Sequence, residues 1–198
     1  MKLKTTLMDL FLITIMHSQD KNPLDLPYYQ IPDYPDSYTP GTVVTRMIDG
    51  LGFRYYWATE GLRPADLAYK PSESNRTIDE TLDHVYNLSR VVYNSAVKEI
   101  NDRTKPGEKE LSFQEKRKRT LFNLKKASEI FSAAQDLNEY PVIFKSKSGT
   151  FKNPFWNQIN GPIEDAVWHC GQIVVLRRAA GNPIDSKVNL FAGVRRTN

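Results

Sequence analysis

This sequence predicts an all-α fold, an antiparallel four-helix bundle with an extended N-terminal arm and a small hairpin or plain extended connection before the last helix. Three observations carry the prediction. Four stretches repeat apolar residues at helical spacing, each opens or closes on a recognisable capping signal, and no comparable run alternates with the period of two that a sheet requires. The chain has 198 residues, enough for one core and not for two.

Residues 1–18 read as a leader to be removed. Lys2 and Lys4 precede an apolar stretch from Leu7 to Met16 and the small Ser18, a secretory layout too short for a permanent span, although Asp9 interrupts it. An exported protein, periplasmic or secreted, is therefore expected, and a cytoplasmic one if the leader stays. Residues 19–39 form an arm in which Pro23, Pro27, Pro32 and Pro35 forbid a regular helix.

The domain proper is expected over 40–198. Thr39-Pro40 combines a hydroxyl cap with proline at the first helical position, and Val44, Ile48, Leu51, Tyr55, Ala58 and Leu62 then follow at helical spacing to about residue 62. Gly50 and Gly52 weaken that helix and point to a close backbone approach. Thr77 and Glu80 are spaced as a capping box at the head of the second helix, whose seam is Ile78, Leu82, Val85, Ser89, Val92 and Ala96. Lys105-Pro106-Gly107 breaks the chain, and a third helix is expected over about 112–138. The hairpin or extended connection lies in 140–153. The last helix starts at Asn153-Pro154 or at Gly161-Pro162, with Pro162 kinking it in the first case, and stops before Gly181.

A count of 27 Lys and Arg against 23 Asp and Glu leaves +4, too mild to name a partner. The single cysteine, Cys170, excludes an internal disulfide framework, paired redox thiols and thiolate-rich zinc sites, and its place on the last seam makes it a buried, inert side chain. The basic run Lys116-Arg117-Lys118-Arg119 is interleaved with glutamates and is expected to be a solvated face, with no nucleic acid as partner. Trp156, Trp168 and the tyrosines are expected in the core or in a pocket wall. Partners reduce to a small-molecule substrate or ligand and, as an oligomeric option, a second copy of the chain as a homodimer.

Chemistry must come from few residues. On the last helix Asp165 and His169 are i,i+4 neighbours one position ahead of the seam, and His84 flanks the seam of the second helix in the same way. If those flanks face each other, two imidazoles and one carboxylate meet at a divalent metal, with positions left for water or substrate and with Gln172 supporting the ligands from outside. Histidines flanking a core also serve as packed, hydrogen-bonded side chains, and Asp165 also suits a helix start through the dipole. Spacing alone leaves both readings open.

The stretch Thr77-Ile78-Asp79-Glu80-Thr81-Leu82-Asp83-His84-Val85 and the block Asp165-Ala166-Val167-Trp168-His169-Cys170-Gly171-Gln172-Ile173, in the setting of four helices, resemble the DinB-like superfamily of damage-inducible and thiol-transferase-related proteins. The resemblance covers about residues 40–181. Members carry one histidine early in the second helix and an HxxxH pair before Gly-Gln in the last, so it implies a metal held by His84, Asp165 and His169. Asp165 stands where the first histidine of that pair would be. A set of two histidines and one carboxylate suits Zn, Ni, Mn or Fe and leans toward harder ions. The implied activity is metal-dependent transfer or hydrolysis on a small substrate, or metal or ligand binding without turnover.

Overall fold

The computed structural model describes residues 26–107 and 109–197. The leader expected over 1–18 and the first part of the arm lie outside these residues. The chain is mostly helical, with a few short strands. Helix α1 (Pro40–Thr59) starts where the sequence places it: the Thr42 amide donates to Thr39 Oγ1 at 3.1 Å and the Thr39 amide to Thr42 Oγ1 at 2.8 Å. It ends before residue 62, because Glu60 turns extended and Gly61 takes φ of 69°. After one turn of α2 (Pro64–Leu67), helix α3 (Ile78–Ala96) opens on the Thr77–Glu80 box, with both reciprocal bonds formed at 2.7 and 3.1 Å.

Helix α4 (Phe113–Ser132) is capped by Ser112 and stops short of residue 138, where Asp136 instead caps a 3₁₀ turn over Leu137–Glu139. Of the two expectations for 140–153, the hairpin forms: β2 (Val142–Ser146) pairs antiparallel with β3 (Gly149–Asn153), and β1 (Asn101–Asp102) adds a parallel edge. Both candidate starts of the last helix are used. One begins α5 (Trp156–Gln158); the other lies in a π-turn over Ile159–Ile163, with Gly161 at φ −91° and ψ −105° and Pro162 inside, that leads into α6 (Glu164–Ala179). The tail closes as a small hairpin, β4 (Val188–Asn189) with β5 (Val194–Arg195).

Helix α1 packs on α4 and α6, and α3 packs on the same two. Thr45 donates to the Ser128 carbonyl at 3.0 Å while Arg117 Nε donates to Thr59 Oγ1 at 2.9 Å, so α1 and α4 run in opposite directions. Lys116 reaches Asp79 and Asn123 reaches Ser89, so α3 and α4 run the same way. Neighbouring helices are thus not all antiparallel: the connection 97–112, carrying β1, takes the chain back before α4 begins. Ile48, Leu51, Leu82, Val85, Leu124 and Ile173 are fully or almost fully buried at the centre. The arm is anchored to α1. Tyr28 lies on Gly52, where a Cβ would come within 2.4 Å of its ring, and its hydroxyl donates to Asp49 Oδ1 at 2.9 Å. Ser128 donates to the same oxygen at 2.6 Å, and burial holds the Asp49 carboxyl above its ordinary pKa.

Two expectations are corrected. Lys116 and Arg117 are not a solvated face: they are buried, Lys116 between Asp79 and Asp83 and Arg117 against Glu60, because acidic residues of α3 and α1 stand opposite. Trp156 and Trp168 are not core, being 75% and 70% exposed, although Trp168 does wall a cleft.

Candidate metal centre

The core fixes which way the chemistry points. On α3, Leu82 and Val85 are buried, which leaves His84 on the flank toward α6. On α6, Ala166, Cys170 and Ile173 take the core, so Asp165, His169 and Gln172 share the adjacent flank. The expected convergence occurs. His84 Nε2 lies 3.1 Å from Asp165 Oδ2 and His169 Nε2 lies 3.3 Å from Asp165 Oδ1. The two imidazole rings meet edge to face at 4.7 Å. One ligand atom from each of the three residues can be chosen so that all lie within 4.8 Å of one another, a group able to hold a metal ion.

Gln172 Oε1 accepts from His169 Nδ1 at 2.7 Å. That bond keeps the proton on Nδ1 and leaves the Nε2 lone pair toward Asp165, the arrangement a ligand histidine needs. His84 and Asp165 are each about one-third exposed and His169 only 13%, so the group opens on one side. A cleft of about 560 Å³ adjoins it, walled by Thr81, Trp168, His169, Gln172 and Leu176, with Arg76 at its rim. No family model, curated protein or solved structure matches this chain.

The chemistry of the group therefore rests on the residues themselves. An ion held at 2.0–2.2 Å in tetrahedral geometry sets its ligand atoms roughly 3.4 Å apart. The two nitrogen–oxygen separations, 3.1 and 3.3 Å, run to different oxygens of Asp165, and one ligand atom per residue gives a set within 4.8 Å, wider than that spacing, that an ion would draw together; the donors are the imidazole and carboxylate types that divalent transition ions take. Asp165 also sits in the first turn of α6, where the helix dipole favours its charge. Cys170, next to His169 in sequence, faces the core, and burial pushes its thiol up to about 12, which excludes it as a nucleophile. Glu80 is held in the α3 cap, and Glu164 is exposed on the outer side of α6.

Sequence reasoning missed the cleft. Thr81 precedes His84 by three residues and so shares its face, a readable signal. Arg76 lies in the loop before α3, and nothing in its spacing ties it to the site.

Proposed function

We propose that the chain is an exported, DinB-like four-helix bundle that binds a divalent metal through His84, Asp165 and His169. The observation that carries the reading is the convergence of these three side chains, from helices far apart in sequence, within 4.8 Å at the edge of a cleft. The bundle is supported by the packing of α1 and α3 each on α4 and α6, with α1 antiparallel to α4 and α3 parallel to it. The family is supported by the positions of His84 on the second long helix and of Asp165 and His169 before Gly171-Gln172 on the last. Bound there, Zn, Ni, Mn or Fe would lower the pKa of a water or thiol at the site. His169 is oriented by Gln172, Asp165 supplies the negative charge, and the cleft admits a small molecule.

A binding module without turnover is the second reading. It is favoured by how the neighbouring carboxylates among the described residues are used: Glu80 in a cap, Asp83 on Lys116, and Glu164 turned outward. Elemental analysis of protein purified without a tag tests the common premise, with a stoichiometric transition metal as the expected result. Calorimetric titration then separates ligand from bystander. Asp165→Ala is expected to weaken binding and Asp165→His to keep it; equal affinity of the Ala variant for every metal would leave Asp165 a helix-start residue. Among the described residues no helix is long and apolar enough to cross a membrane. Export is tested by the N-terminus of protein from the native cell, expected at or near Gln19.

A further inference from the structure

The outward side of α6 carries a second stripe that the metal reading does not use. Glu164, Trp168, Gly171, Val175 and Arg178 are all exposed and recur at alternating intervals of four and three, the spacing by which a helix presents a seam to another helix. The seam that α6 turns to its own core is a different one, on Ala166, Cys170, Ile173 and Arg177. Trp168 and Val175 are 70% and 61% exposed, large apolar side chains left largely uncovered among the described residues. Between them stands Gly171, and a Cβ there would meet no atom within 4 Å. A glycine inside a helix costs roughly 1 kcal/mol relative to alanine, and the packing of the described residues does not require it.

We propose that α6 pairs with α6 of a second copy of the chain, antiparallel across a two-fold axis at Gly171. The stripe is self-complementary about that residue. Glu164 and Arg178 lie at equal distances in sequence on either side of Gly171, so the pairing sets Glu164 of each copy opposite Arg178 of the other. The same pairing sets Trp168 of each copy beside Val175 of the other and brings the two Gly171 backbones together without side chains between them. Among the described residues neither Glu164 nor Arg178 forms an ion pair within its own chain. Such a contact is isologous and closes at two copies, with tryptophan at its centre and charges at its rim. Leu190, 47% exposed in the groove on the far side of Gly171, continues the apolar surface. Trp168, Gly171 and Val175 also wall the cleft beside His169, so the pairing sets the second copy against one wall of that cleft.

The pairing does not depend on a bound metal, and its test reads mass rather than activity. Sedimentation equilibrium of the full chain is expected to give twice the chain mass. Glu164→Arg and Arg178→Glu should each weaken association by about 10-fold or more, and the two combined in one chain should restore it, because each reversed charge again meets its opposite. Gly171→Cys should give a reducible covalent dimer, whereas Cys170, being buried, should give none in the parent. A monomer up to about 100 µM would overturn the proposal. So would a dimer indifferent to Gly171→Arg, or reversals that the combined variant fails to rescue.

Discussion

Two charged constellations hang from opposite flanks of α3, and consecutive residues divide them. Asp83, with Asp79 one turn earlier, faces α4, where Lys116 Nζ donates to both carboxylates at 2.8 Å and is itself only 2% exposed. His84 faces α6, where Asp165 spans two imidazoles beside an open cleft. In the first group one buried ammonium bonds both carboxylates, and it joins two helices. In the second, one carboxylate lies within hydrogen-bond reach of both rings, and the three residues offer ligand atoms that could hold an ion. Density of charge does not mark a site. Ligand capacity left over after the chain has satisfied itself does.

That contrast can be broken experimentally. His169→Ala and His84→Ala are each expected to lower metal affinity by at least about 100-fold while shifting stability by under about 1 kcal/mol, read by titration calorimetry and by urea unfolding of the same proteins. Lys116→Ala should do the reverse, losing about 2 kcal/mol of stability with metal affinity unchanged. The half-exposed Asp79 and Asp83 keep access to water, which holds the loss near that figure, and the buried lysine stem adds a packing loss. Gln172→Ala should weaken metal binding by about 10-fold, because it frees the His169 ring without removing a ligand.

The smallest effect is one of pH. Burial works against the Lys116 ammonium, but its hydrogen bonds to Asp79 and Asp83 outweigh it and hold the pKa above the ordinary 10.5. A folded-state pKa raised in this way contributes stability that is complete below about 10.5 and is lost as pH rises through the folded value. The gap between the parent and Lys116→Ala in urea midpoint should therefore narrow only above about pH 10.5. A gap that stays unchanged above about pH 10.5 would assign the lysine to packing alone.

Local signals were legible. Thr39-Pro40 and the Thr77–Glu80 box start their helices as read, because a cap is a contact across three residues. The i,i+4 spacing of Asp165 and His169 was legible for the same reason, and their position beside a core seam pointed at His84. What failed depends on partners distant in sequence. Lys116 and Arg117 looked solvated because the helix alone does not reveal that Asp79, Asp83 and Glu60 stand opposite. Trp156 reads as core or pocket wall because aromatic area is usually buried, yet it is 75% exposed, while Trp168 meets the second of those readings by lining a cleft, the core stripe of α6 being filled by Ala166, Cys170 and Ile173. The shared direction of α3 and α4 is decided by how far the 97–112 connection carries the chain, and turn residues do not encode that distance.

The kink over Ile159–Ile163 re-aims the last helix. Gly161, at φ −91° and ψ −105°, leaves the helical region and Pro162 follows it, so α5 and α6 are two segments that meet at a bend. Before the bend, Phe155 meets Phe131 edge to face at 5.2 Å and Gln158 is buried; after it, Asp165 and His169 look toward His84. A straight helix would have to choose between seating its first turn in the core and presenting its donors to α3, so the bend is what lets one helix serve two neighbours at once.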